Sequence, residues 1–330
     1  MSSGKQLLAV CMAVLISGTA YGQSEPTPAA VTASDFIKLF EQLSGKQPGY
    51  RKAHARGVCA SGEFTPAQSD EFAAAALLNQ GTLPVTLRFS VGGGRPDADE
   101  RKPGVRGVGL LIGAADTPQH VFTGNNFPVF AGKDPQTFFG LLKSRAPGAD
   151  GKTDSAKVQA YIAAHPSVQD NVRWAQNVGV AASYANTQYY GVHTFYYQPP
   201  QAQATQFRWQ LVPQDGSRFL SEAEVKQQAA DFLLPVLQQQ IASNEASFRL
   251  EASIGTAPDS VNDPSQRWPE DRKRVLLGQI RLTTAGGEDC RTVNFDPNRL
   301  SDGFRASDDP VLRMRSAAYA ISFGKRLSGH

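Results

Sequence analysis

Apolar residues recur at every second position in one short segment of this chain after another. In 84–91, Val85, Leu87, Phe89 and Val91 fall on one face of an extended segment, because successive strand side chains point to opposite sides. Residues 107–112 and 120–122 look similar, and 193–197, 207–212, 248–254, 275–282 and 292–295 continue the series. Several of these segments are joined by short loops, which argues for antiparallel pairing in a barrel or strongly curved sheet. Composition agrees. The 330 residues are 41% hydrophobic and 19% charged, enough apolar material for a sizeable core, and 30 Gly and 21 Pro suit a fold with many turns.

Helices interrupt the strands. Residues 35–43 carry Phe36, Ile37, Phe40 and Leu43 near helical spacing. Residues 66–80 read as a helix with Thr65 as N-cap, Pro66 at its first position and Gly81 beyond its last turn. Residues 154–164 and 167–178 form a pair split by Pro166. A long helix over 221–243 opens with the capping box Ser221-x-x-Glu224 and carries an apolar stripe from Val225 to Ile241, with a kink expected at Pro235. A last helix spans about 310–326. With no internal repeat and no clean linker, 35–330 reads as a single α+β domain.

The N-terminal residues have the order of a secretory signal: Lys5, an apolar run over 7–16 too short to span a bilayer, then Ala20-Tyr21-Gly22. Residues 1–22 are expected to be removed, leaving a flexible Pro/Thr/Ala/Ser leader over 23–34. In a Gram-negative bacterium the product would be periplasmic. No later stretch is long and apolar enough for a membrane helix. The formal net charge of +3 offers no large basic field for nucleic acid. Of three cysteines, only Cys59 and Cys290 follow the signal. An oxidising compartment permits a disulfide, but nothing in the sequence brings the two together, and we expect two free, partly buried thiols.

Two short runs carry chemistry. His54 lies in Arg51-Lys52-Ala53-His54-Ala55-Arg56-Gly57. Alone it is more simply a structural histidine, yet an imidazole can move a proton in both directions near neutrality. Tyr319 lies four residues after Arg315 on the same helical face. Alone it is more simply a core tyrosine, yet a nearby guanidinium favours a phenolate, and a phenolate is an anionic iron ligand. Gly92-Gly93-Gly94 follows a strand but lacks a following Gly-Lys-Ser/Thr and a helix start, so it reads as a mobile hairpin loop rather than a phosphate loop. Neither a G-x-S-x-G elbow nor an H-E-x-x-H helix is present.

Taken in order, these runs resemble the haem catalases. The resemblance begins at Arg51-x-x-His54-Ala55-Arg56-Gly57, Gly62-x-Phe64 and Pro84-Val85-x-x-Arg88-Phe89-Ser90. It passes through Arg106-Gly107, Gly124-Asn125-Asn126-x-Pro128-Val129-Phe130, Gly191-x-His193-Thr194-Phe195 and Asp263-Pro264-x-x-x-Trp268-Pro269. It ends at Phe295-Asp296-Pro297 and Arg315-x-x-x-Tyr319. Length and signal are similar to the small catalase-related peroxidases of bacteria. The resemblance implies a catalase-like antiparallel β-barrel with surrounding helices and a buried haem b. It implies that His54 is the distal acid–base residue, that Asn125 hydrogen-bonds the peroxide, and that Tyr319 ligates the iron with Arg315 steadying its phenolate. Arg51, Arg88 and Arg326 match positions that bind haem propionates. Ser90 would hold the His54 ring, Phe130 and Phe138 would pack against the haem and line its access, and His193 and Asp309 match a proximal hydrogen-bond network.

One departure bears on activity. Ala53 stands where the family usually has Val before the distal histidine, which widens the last part of the channel and favours an organic reductant beside hydrogen peroxide itself. The segment after Tyr319 lacks the Pro-Asp-Thr of large catalases, and the short N-terminus lacks their interlocking arm, so a monomer or homodimer is expected. A fatty-acid hydroperoxide-rearranging enzyme and a non-enzymatic haem-binding or peroxide-sensing protein are the rival readings.

Overall fold

The computed structural model describes residues 1, 30–201 and 203–329. Apart from Met1, the expected signal, and with it 23–29 of the leader, lies outside the described residues. From Val31 onward the chain clusters as one compact unit. Helix α1, Ala33–Ser44, starts two residues earlier than its apolar spacing predicts, because Thr32 and Asp35 form a capping box. The end of the predicted leader therefore belongs to the helix.

Strands β1 (Gly57–Pro66), β2 (Leu83–Val91), β3 (Arg106–Ile112) and β4 (His120–Asn125) follow. Helices α2 (Pro135–Ser144), α3 (Ser155–Ala164) and α4 (Gln169–Asn177) precede the short β5 (Val180–Ala181), β6 (Tyr189–Tyr190) and β7 (Phe195–Tyr197). Then come β8 (Thr205–Pro213), β9 (Phe219–Leu220), α5 (Glu222–Gln227), α6 (Leu233–Ala242), β10 (Ser247–Ile254), β11 (Arg274–Ala285), β12 (Phe304–Ala306) and α7 (Pro310–Leu327). The main sheet runs β10-β11-β1-β2-β3-β4-β6-β8, and β8 pairs back onto β10. This closes an antiparallel eight-stranded barrel with no free edge. β7 pairs with the first residues of β8 and carries β12, while β5 and β9 form a separate ribbon.

Alternation decides which side chains fill the barrel. Leu83, Val85, Leu87 and Phe89 of β2 are all buried, with Pro84 exposed between them. Phe89 lies against Tyr184, Tyr189 and Phe248 at centroid distances of 5.2, 5.8 and 6.2 Å. Burial of each such ring stabilises by about 1.5–3 kcal/mol, and Phe89→Ala would cost about 3–5 kcal/mol.

The structure corrects several expectations. Residues 66–80 are not a helix. β1 runs through Pro66, only Asp70–Phe72 makes a 3-10 turn, and Phe72, Leu77 and Leu78 are buried in the barrel core. β1 itself escapes a period-two search because Gly57, Ala60, Ser61 and Gly62 interrupt its apolar face. Gly62 is required there, since a Cβ would come 2.1 Å from the Arg281 carbonyl of β11. The predicted helix over 221–243 is two helices. Pro235 sits in the first turn of α6, where its missing N–H costs nothing, and Glu100 accepts the N–H of Leu233 at 2.7 Å. Residues 292–295 form no strand.

The thiol expectation is also overturned. Cys59 on β1 and Cys290 beyond β11 form a disulfide, with Cα atoms 5.3 Å apart, inside the range a disulfide spans. They are separated by 231 residues, so only the β1–β11 pairing of the closed barrel brings them together.

Candidate active site

A cavity of about 760 Å³ opens between the barrel and helices α1, α2 and α7. One wall is the run from Arg51 to His54, the ends of β2, β3 and β4, and the glycine loop 92–94. The opposite wall is the face of α7 that carries Met314, Arg315, Ala318, Tyr319, Ser322 and Phe323. Phe36 and Phe40 of α1 and Phe138 and Leu142 of α2 line its flank. The two informative runs, remote in sequence, thus face one space.

His54 has a positive φ of 55°, a conformation unusual for a non-glycine residue. Its ring Nδ1 lies 3.0 Å from Ser90 Oγ at the end of β2. The ring rests on Gly107, where a Cβ would stand 2.7 Å from Nδ1. Any side chain at 107 would displace the imidazole. With Nδ1 occupied, Nε2 is the nitrogen free to exchange a proton. Burial, then the charges of Arg88, Arg315 and Arg51, hold the His54 pKa down to about 4, so the ring is neutral at physiological pH.

Asn125, the last residue of β4, also lines the cavity. Its Oδ1 accepts the N–H of Phe127 at 2.7 Å, which leaves its Nδ2 as the donor for a ligand. The neighbouring Asn126 is engaged in structure: its Oδ1 accepts the Arg106 N–H at 2.8 Å and its Nδ2 donates to the Gly104 carbonyl. Phe130 and Phe138 both line the cavity, with ring centroids 4.7 Å apart, and Phe36 stacks on Phe138 at 5.6 Å.

On the α7 side, Arg315 Nη2 donates to Tyr319 Oη at 2.8 Å. Asp309 caps α7 by accepting the N–H groups of Val311 and Leu312 through Oδ1, while its Oδ2 is 2.6 Å from His193 Nδ1. Both residues are fully buried and stand behind the cavity wall, not on it. His193 is held low chiefly by burial, against the opposing pull of Asp309.

Arg51 and Arg88 line the cavity; Arg326 does not, but its charge acts on both. Burial and mutual repulsion press Arg51 down to about 9 and Arg88, mainly through burial, to about 10. Among the described residues no carboxylate pairs with any of the three, and Arg326 Nε and Nη2 are buried without a hydrogen-bond partner. Such a cluster is costly unless an anion joins it. Two ligand carboxylates would satisfy it, a flat apolar body would fill the space between Phe130, Val129 and Phe295, and Tyr319 Oη, held by Arg315, offers an oxygen ligand. The residues present fit an iron porphyrin with propionates.

All the predicted site residues except Arg326, His193 and Asp309 therefore meet in the cavity itself, Ala53 included. Sequence reading missed Phe36, Gly107, Asn294 and Phe323 as wall residues. Phe36 was visible as the apolar stripe of α1, and Gly107 as the residue after Arg106, but neither spacing says what the stripe or the gap faces.

Comparison with known proteins gives a consistent result. A family model described as Catalase matches residues 22–330. A catalase-related peroxidase of Synechococcus elongatus is 32% identical over 330 residues, covering 98% of this chain and 96% of its own. One from Mycolicibacterium paratuberculosis is 30% identical over 300 residues, covering 88% and 94%. A catalase of Blumeria hordei is 29% identical but is covered over only 43% of its length. Among solved structures, a fungal catalase superposes with a TM-score of 0.74 at 21% identity, over 94% of this chain and 67% of its own, a likeness of fold.

Proposed function

Because this chain belongs to the catalase family, we propose that it is a haem-dependent enzyme that consumes hydrogen peroxide, with haem b as its cofactor and a small organic reductant as a second substrate. The observation that carries the reading is the pairing of a neutral, Ser90-held His54 with the Arg315–Tyr319 couple across one cavity that also holds carboxylate-free arginines. Haem iron held by Tyr319 would supply the electrons that break the O–O bond. His54 Nε2 takes the proton from the near peroxide oxygen and returns it to the far one, so that the leaving group departs as water. Asn125 Nδ2 steadies the peroxide by hydrogen bonding. Ser90 and Gly107 fix the imidazole plane during both transfers. Arg315 donates a hydrogen bond to the Tyr319 oxygen that would ligate the iron, Arg51 and Arg88 would neutralise the propionates, and Arg326 adds its charge from outside the cavity wall.

The full cycle consumes either a second peroxide, giving water and dioxygen, or an organic donor, which is oxidised as the peroxide is reduced to water. Ala53 and the apolar flank of Phe36, Phe40, Phe138 and Leu142 favour the donor. The two relatives matched over nearly their whole length are peroxidases by name, which supports reduction of peroxide over rearrangement or sensing. Export through residues 1–22, to the periplasm in a Gram-negative cell, and a monomeric or homodimeric state complete the proposal.

The test is direct. Protein loaded with haem should show a ferric–phenolate absorption spectrum and remove peroxide, faster when an aromatic donor is present. Tyr319→Phe should bind haem poorly and lose that spectrum. A loaded wild type that leaves peroxide untouched would sink the enzymatic reading.

A further inference from the structure

The segment 286–303, between β11 and β12, contains no helix or strand, yet it shapes the part of the cavity that holds Arg51. Arg51 Nη2 donates to two of its carbonyls, Cys290 O at 3.3 Å and Val293 O at 3.2 Å. The same guanidinium lies over the Phe295 ring, 5.6 Å from its centroid. Asn294 lines the cavity beside it. Arg51 thus reaches its position by leaning on a loop.

Among the described residues, that loop has few other hydrogen bonds to the barrel. Between Gly286 and Phe295 its hydrogen bonds to the barrel centre on Cys59, while Cys290, Val293 and Phe295 also pack with Leu111 of β3 and Val121 of β4. Cys59 O accepts the Gly286 N–H at 2.9 Å, Cys59 Sγ accepts the Cys290 N–H at 3.2 Å, and the disulfide closes the link. A longer contact, Ser61 Oγ to Asp289 at 3.3 Å, adds to these at the surface. At Phe295, Thr123 Oγ1 of β4 adds a hydrogen bond, donating to the Phe295 carbonyl at 2.9 Å. Two neighbouring cations, Arg88 and Arg326, push against Arg51. Without fixed carbonyl acceptors, repulsion would drive the guanidinium outward.

We propose that the Cys59–Cys290 disulfide is a positioning device for Arg51, fixing the carbonyl pair that aims this arginine at a carboxylate of the prosthetic group. The inference rests on the haem reading above. Both sulfurs belong to buried residues, so the bond acts as a lock set during folding. Closing it removes two protons and two electrons from the thiols; hydrogen peroxide, reduced to two waters, balances that step. A chain folded without the bond keeps its barrel but holds its cofactor more loosely.

A double-mutant cycle read by haem titration of the apo-protein tests this, using the wild type, Arg51→Ala, the pair Cys59→Ala with Cys290→Ala, and all three changes together. Arg51→Ala should weaken haem affinity by about tenfold, the size of one lost charge-assisted hydrogen bond. The cysteine pair should cost about the same, and the triple variant should be no worse than Arg51→Ala, because coupled residues are non-additive. Additive losses, or wild-type affinity in the cysteine pair, would overturn the proposal. If the cysteine pair does not fold, wild-type protein refolded with dithiothreitol, which reduces the bond and is itself oxidised to a cyclic disulfide, replaces it. Equal haem affinity of reduced and oxidised forms then overturns the proposal. A wild type that takes up no haem overturns both readings, whereas tight wild-type binding with additive losses overturns this one alone.

Discussion

His54 shows how much a single residue's surroundings decide. An imidazole at its ordinary value would be partly charged at neutral pH, and that charged fraction could not accept a proton. Burial, the largest cause, and three arginines hold it down to about 4. Bound propionates would offset the arginines but not the burial, so the value stays below its ordinary one. The base form is then present across the neutral range. Peroxide consumption should be flat with pH above about 5 and fall as the pH approaches the histidine's own value. A profile that falls already near the unperturbed 6.5 would contradict this. His54→Gln should lower the rate by about 10²–10⁴ with haem still bound, the usual span of a lost acid–base group. Ala53→Val should act differently, narrowing the distal end and lowering kcat/KM for a bulky aromatic donor more than for peroxide. Donor-dependent and donor-free rates measured on one sample should therefore fall in ratio, and an unchanged ratio would contradict the argument. The residue types and order of this site were legible in the sequence. The arginine triad's missing counter-ions and the Gly107 contact were not, because they depend on which side chains the barrel closure brings together.

At the scale of elements, α7 ties the site to the fold. Its N-cap, Asp309, holds two helix N–H groups with one oxygen and buried His193 with the other. Asp309→Ala removes a cap worth about 1 kcal/mol and strands a buried imidazole for about 1–3 kcal/mol more. His193 Nε2 already lacks a partner, so the ring would lose its last hydrogen bond. Asp309→Asn keeps a capping oxygen and should be the milder change. Urea midpoints of the two variants should rank Ala below Asn below wild type, and equal midpoints would remove the capping argument. Most elements could be read from the sequence, since amphipathic stripes and alternation are local. The failures share a physical cause. β1 is built of small residues that long-range pairing with β2 and β11 recruits. The predicted helix at 66–80 loses to that same pairing at Pro66 and to burial of Phe72, Leu77 and Leu78. The loop at 292–295 is held by a cross-link that no local pattern announces.

Across the whole molecule, the buried histidines make stability depend on pH. His120 stacks on Phe122 at 4.3 Å, its Nδ1 accepts the Ser301 N–H at 3.2 Å, and burial pushes its pKa down to about 3. His54 lies at about 4. In the unfolded chain both titrate near 6.5. Above that value neither state binds a proton there, so the stabilisation is complete. Below it the unfolded chain takes up protons that the folded chain refuses, and stability falls as the pH drops from about 6.5 towards 4, by ~1.4 kcal/mol per pH unit for each histidine. Urea unfolding of the apo-protein at about pH 7 and about pH 5 should therefore differ by about 4 kcal/mol from these two groups. His120→Gln separates the terms, because the position lies on β4 away from the cavity wall. That variant should lose stability at neutral pH, yet show a shallower acid slope by one histidine's share. A slope identical to wild type would mean that His120 is protonated in the folded state, in conflict with an Nδ1 that accepts a backbone N–H.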